Sequence, residues 1–139
     1  MGTRSLTRVI EDGKTIITMY RQYDGYPSGH GKELADFLKG IKIVNGLGAD
    51  ATSVANGAGC LAAQLVCNFK KEPGGFYLFP TDTVDAGQEY EYDVHVNEKL
   101  VTIYVYETVY EMGRKLLFRS LPVMYDGELE KFEKANEEN

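Results

Sequence analysis

Tryptophan is absent from this 139-residue chain, and cysteine, histidine and proline are scarce, at two, two and four residues. Cys60 and Cys67 stand seven apart, on one face of a helix but beyond disulfide reach. They read as reduced core thiols, and no Cys-x-x-Cys occurs. Two histidines leave the zinc-cluster patterns unfilled, so neither a metal nor a cofactor is expected. No apolar run approaches the roughly 18 residues of a membrane span, which excludes a membrane partner of that kind. MGTRSL has no apolar h-region and carries Leu6 where a myristoylation signal needs Ser or Thr, so the expected location is cytoplasmic. A basic excess is lacking too. The net charge of −6 argues against a DNA or RNA backbone as partner, since phosphate tracking needs a basic surface.

What is present is a hydrophobic fraction of 43% with 26% charged residues, ordinary for a globular chain. The length suits one domain with a single core. Residues 126–139 hold six acidic and two basic side chains, a net −4, leaving −2 on residues 1–125. The expectation is a single globular domain over 1–125 and an acidic helix or disordered tail over 126–139. A local basic pocket for a small anion stays compatible with this balance.

RSLTRVI, EDGK and TIITMYRQ read as a β-hairpin turning at Asp12-Gly13. Leu34, Phe37, Leu38 and Ile41 then fall at helical spacing from Gly31 or Lys32, with Ser28 as N-cap and an end near Gly40. Residues 41–59, rich in Asn-Gly and Leu-Gly breaks, suit a structured loop. Ala58 to Phe69 repeat at helical spacing, with Cys60, Ala63 and Cys67 widening the apolar stripe, so this helix should be largely buried. FYLFP is a short strand, and TDTVDAG is a loop. QEYEYDVHV alternates Tyr90, Tyr92, Val94 and Val96 with Glu89, Glu91, Asp93 and His95, the second set reading as a polar side. LVTIYVYE completes a second hairpin whose tyrosines are expected to pair across the strands. A further strand follows Gly113. Segregated rather than alternating elements favour α+β: an antiparallel sheet from two hairpins plus short strands, with two helices packed on it.

The stretch YRQYDGYPSGHGKEL, residues 20–34, concentrates the candidate chemistry. Gly-His-Gly-Lys at a helix start forms a generic anion site, with plain turn chemistry as the competing reading. A P-loop is excluded: five residues separate Gly25 from Gly31 where the motif has four, and Glu33 follows Lys32 where Ser or Thr must hold magnesium. Asp24 with His30 is the best acid/base pair available, yet no nucleophile with a matching base accompanies it. His95 reads as solvated surface, and Cys67 inside an apolar helix as inert. The chain is therefore expected not to be an enzyme.

Binding is better supported. Ten tyrosines and six phenylalanines offer flat faces for a base, and arginines offer forked donors for phosphate. Arg4, Arg8 and Arg21 share the first hairpin and are expected to converge beside its aromatic rings. The candidate ligand residues are Arg4, Arg21, Tyr23, Asp24, Tyr26 and His30, with Phe79 and Arg119 as further candidates. A rival reading is an interaction module that blocks a host protein through the tyrosine-rich hairpin of residues 88–107 or the acidic tail. A third is a nucleotide-processing enzyme using His30 or His95.

MGTRS at the start, YDGYP before a Gly-rich helix start, and more loosely NGLG and GAGCLAAQLV, resemble a class of small proteins encoded by bacteriophages and prophages. Within that class the chain resembles the Thoeris anti-defence sponges of phages, which sequester the cyclic ADP-ribose isomer made by bacterial TIR-domain immune enzymes. The resemblance implies a non-enzymatic homodimer or higher homo-oligomer that holds an anionic cyclic nucleotide in recessed pockets and leaves it chemically intact.

Overall fold

Asp12 and Gly13 both take positive φ, 50° and 77°, the mirror-turn geometry whose twist matches the strands it joins. The computed structural model describes residues 2–39, 41–46, 54–98, 100–111 and 114–124, with side chains up to residue 108 save that of residue 100. In it this turn links β1 (Ser5–Glu11) to β2 (Lys14–Arg21). A π-helical turn at Pro27–Gly31 then runs straight into α1 (Lys32–Lys39). Ser28 lies inside that turn rather than capping the helix; Tyr26 precedes it without a side-chain cap. Proline at the start lacks an N–H that would have had no intrahelical acceptor there, and its fixed φ suits a helix start.

Within the stretch expected to be irregular, β3 (Lys42–Val44) and β4 (Val54–Asn56) pair in parallel. Gly57, at φ 81°, opens α2 (Gly57–Phe69), which buries Ala58, Leu61, Ala62, Leu65 and Phe69. Only that face is covered. Ala63 and Cys67 are exposed, so α2 is not largely buried and Cys67 is a surface thiol rather than a core one. Beyond Gly74 and Gly75 come β5 (Phe76–Phe79), β6 (Tyr90–Asn97), β7 (Leu100–Glu111) and β8 (Arg114–Met124).

The result is α+β, with both hairpins in place. Six strands form one sheet in the order β5-β2-β1-β6-β7-β8. The sheet is mixed rather than antiparallel throughout, because β1 and β6 run parallel from Ser5↔Tyr90 to Glu11↔Val96. Residues 80–89 carry the chain back across the sheet, so β6 starts beside the start of β1; the Glu89 and Tyr90 amides both donate to the Arg4 carbonyl, at 2.9 and 3.3 Å.

One face of the sheet carries Val9, Met19, Tyr92, Val94, Ile103 and Val105, which join Leu34, Leu38, Leu61 and Leu65 of the helices in the core. Each such aliphatic side chain contributes about 1.5–3 kcal/mol by leaving water. The other face carries Leu6, Arg8, Thr18, Glu91 and Asp93, and residues 80–88 cover part of it. Thr18 Oγ1 donates to the Thr81 carbonyl at 3.2 Å, and Arg8 Nη2 to the Thr83 carbonyl at 3.2 Å. Glu91 is consequently only 1% exposed, although strand alternation placed it on a polar side.

The tyrosines of β6 and β7 do not meet across the strands. Tyr92 faces Val105 and Tyr90 faces Glu107, while Tyr104 and Tyr106 lie opposite Asp93 and Glu91. This register places the β6 tyrosines on the core side and the β7 tyrosines on the opposite one. Moreover β6 lies between β1 and β7, so the 88–107 hairpin is built into the sheet. Among the described residues no helix is long and apolar enough to cross a membrane. Residues 126–139 lie outside the described residues.

Candidate functional site

At the end of β2 the chain must reverse beside the start of β1. Asp24 takes φ 61°, and the Gly25 amide donates to the Thr3 carbonyl at 2.9 Å. A Cβ on Gly25 would come within 2.9 Å of the Arg4 carbonyl carbon, and one on Gly29 within 2.6 Å of the Asp24 oxygen. Both glycines permit close backbone approach. The His30 amide bonds the Asp24 carbonyl at 2.8 Å, and the buried Tyr92 hydroxyl donates to the Gly25 carbonyl at 2.7 Å. Burial pushes that hydroxyl's pKa up, so it remains a donor.

This loop drives His30 into the core, fully buried, its ring 5.0 Å from both Phe69 and Tyr92. Arg21 Nη1 lies 3.1 Å from Nδ1. Arginine can only donate, so Nδ1 is the acceptor, and Nε2–H donates to Thr7 Oγ1 at 2.6 Å. Burial, and then the Arg21 charge, push the His30 pKa down to about 3. The imidazole is neutral at pH 7.

Arg21 also pairs through Nη1 with Glu33, sets Nη2 4.0 Å from Asp24 Oδ2, and holds its guanidinium 4.9 Å over the Phe76 ring. It borders a cleft of about 460 Å³ lined by Glu33, Asp36, Phe37, Asn68, Phe69 and Phe76. A second cleft of about 510 Å³ shares Phe69 and Phe76 and adds Gln22, Tyr23, Lys71, Glu72 and residues 73–75. The two clefts meet at the Phe69–Phe76 pair, whose centroids are 5.5 Å apart. One cation, Arg21 or Lys71, borders each lobe.

Of the residues singled out in the sequence, the structure gathers Arg21, Asp24, Tyr26 and His30 within one turn. Tyr26 is 38% exposed, and its hydroxyl donates to Asp24 Oδ1 at 3.3 Å. Tyr23, at 53% exposed, lines the second lobe. His30 is sealed beneath Arg21 rather than open to a ligand. The three hairpin arginines do not converge. Arg4 lies against Gly87 and Arg8 against Glu91 and Asp93; strand alternation puts both on the face opposite Arg21.

Phe79 stacks on Tyr20 at 5.1 Å, also away from the cleft. Arg119 stands opposite Tyr106 in β8, where side chains are not described. His95 is half-buried with its ring 5.2 Å from Tyr104, not free on the surface. Sequence reasoning missed Glu33, Asp36, Phe37, Asn68, Phe69 and Phe76 as cleft residues. Phe37 and Phe69 were visible only as members of helical stripes, and a stripe does not reveal that its edge borders a cavity.

Among the described residues no three His, Cys, Asp or Glu side chains cluster to hold a metal. Both nitrogens of His30 are engaged inside the fold, Nδ1 with Arg21 and Nε2 with Thr7. The arrangement is suited to holding a planar group against phenylalanine beside a forked cation. Fold and site together define an α+β domain with a two-lobed aromatic cleft at one end of a mixed sheet. No family model matches the chain, and no curated protein or solved structure matches it significantly.

Proposed function

We propose that the protein is a non-enzymatic binder that captures an anionic nucleotide in the two-lobed cleft and releases it unmodified. The observation that carries this reading is the pair of adjoining clefts sharing Phe69 and Phe76, with Arg21 over one of those rings. A base stacks on phenylalanine irrespective of its hydrogen-bonding pattern, and a guanidinium fork matches phosphate oxygens. Asp36, which also lines the cleft, offers an acceptor for a ribose hydroxyl or an exocyclic amine. Two lobes of this size suit a ligand with two ends, such as a cyclic ADP-ribose isomer. Together with the sponge-like MGTRS and YDGYP segments, that supports a phage anti-defence role in the cytoplasm of an infected bacterium, sequestering the messenger of a TIR-type immune system. A homo-oligomer would roof the clefts and raise the burial that tight capture needs.

Isothermal titration against cyclic ADP-ribose isomers, followed by heat release and chromatography, tests the reading. The expected result is stoichiometric binding with the ligand recovered intact. A chemically altered ligand makes the protein an enzyme, and no heat removes nucleotide capture. A second reading draws on the edge strand β5, where Tyr77 and Leu78 are 46% and 56% exposed: an interaction module that inhibits a host protein. Loss of host-protein capture in the Tyr77→Ser/Leu78→Ser double variant, with nucleotide binding absent, would favour it.

A further inference from the structure

Arginine carries five N–H donors in a rigid fork. In Arg21 both hydrogens of Nη1 are committed, one to His30 Nδ1 at 3.1 Å and one to Glu33. The hydrogens of Nη2 and Nε have no hydrogen-bond partner among the described residues, Asp24 standing 4.0 Å off. A fully buried ring that served packing alone would need no nitrogen, yet each nitrogen of His30 has a partner, Thr7 at one end and Arg21 at the other. Thr7 lies on β1, in the body of the sheet, so the chain of contacts anchors the guanidinium to the rigid part of the fold.

We infer that His30 is a positioning residue: its unprotonated Nδ1 sets the roll of the Arg21 guanidinium so that the three uncommitted N–H groups face an anion entering the cleft. This rests on the ligand reading above. The imidazole never touches the ligand; it acts through Arg21.

A double-mutant cycle tests the inference, with a cyclic ADP-ribose isomer as probe, alongside long-range ¹H–¹⁵N spectra of the unliganded protein. His30→Phe keeps the ring and removes the acceptor; affinity should fall about tenfold, the scale of one hydrogen bond to a charged group. In an Arg21→Met background the same change should have an effect under about twofold. His30→Asn places an acceptor where Nδ1 stood and should restore affinity to within about threefold of wild type, whereas His30→Gln should not. The spectra should show the proton on Nε2 and a bare Nδ1. If His30→Phe weakens binding equally with and without Arg21, or the proton sits on Nδ1, the inference falls. Should His30→Phe not fold, the contrast between Asn and Gln decides. If wild type binds no probe, the ligand reading fails, and the spectra still decide what His30 presents to Arg21.

Discussion

Arg8 and Arg21 leave the same hairpin and are equally covered, their side chains 13% and 11% exposed, yet they do opposite things. Arg8 sits between Glu91 at 2.5 Å and Asp93 at 3.3 Å, carboxylates only 1% and 18% exposed. Gln88 Nε2 and Thr108 Oγ1 supply the remaining Glu91 oxygen, at 2.9 and 3.5 Å. Both Glu91 oxygens are therefore engaged within the fold. Arg21 pairs instead with Glu33 and Asp24, which are 53% and 62% exposed. Water screens those pairs, and an incoming phosphate can displace them. Burial of an arginine therefore says little about its role; burial of its partners says more.

The largest effect should come from breaking the sealed pair. Arg8→Met removes the guanidinium that neutralises the buried Glu91 carboxylate and should cost about 3–5 kcal/mol. Arg21→Met removes screened pairs and one hydrogen bond to His30, a loss of about 1–2 kcal/mol. Urea midpoints of the two variants measure the difference. Equal losses would break the contrast between a structural and an available arginine.

Acid should act next, and with opposite signs on the two faces. His30 is held to about 3 in the folded protein against about 6.5 in an unfolded chain. Between those values the unfolded state binds the extra proton, so stability rises with pH across that window and is lost on acidification, by up to about 1.4 kcal/mol per unit. Burial, opposed by Arg8, leaves the Asp93 pKa raised, so the folded state takes up that proton first and acid there is stabilising. His30→Asn should flatten the stability profile between pH 6.5 and about 4.5. An unchanged slope would mean that the imidazole titrates as if exposed.

How much of this was legible differs between the faces for a physical reason. Strand alternation in Tyr90–Asn97 and the Asp12-Gly13 turn are local, and both hairpins followed from them. Helical spacing likewise marked α1 and α2. The parallel pairing of β1 with β6 joins segments far apart in the chain and leaves no periodicity to read. The faces of the arginines depend instead on the β1–β2 register, which pairs Ser5 with Arg21 and Arg8 with Thr18 and shifts between Val9 and Ile10, so the expected convergence of Arg4, Arg8 and Arg21 failed on a register that the turn alone did not reveal. The same holds for burial: alternation put Glu91 on a polar side, and its cover by residues 80–88 did not show because that stretch read only as a loop. His30 in a Gly- and Pro-rich turn looked accessible, and its burial depends on Thr7, Phe69 and Tyr92, brought together only by the fold. Of the site, Arg21 and the YDGYP turn were visible; the phenylalanine floor was not.

The smallest effect on stability should carry the most information about the cleft. Glu33 is exposed, so Glu33→Gln should shift the unfolding free energy by less than about 1 kcal/mol. Its effect on binding should be larger in meaning and opposite in sign to that of a lost contact. Glu33 competes with any anion for the Arg21 fork, and replacing it by an isosteric amide removes one negative charge from a cleft that Asp36 also borders. Affinity for a phosphate-bearing ligand should therefore rise a few-fold at low salt, with the gain shrinking as ionic strength approaches about 0.15 M, where the screening length is about 8 Å. If Glu33 instead contacts the ligand through a ribose hydroxyl, the same substitution weakens binding at every salt concentration. Titration of the variant at two ionic strengths separates a competitor from a contact, and so decides whether the Arg21 pair is a latch the ligand opens or part of the bound state.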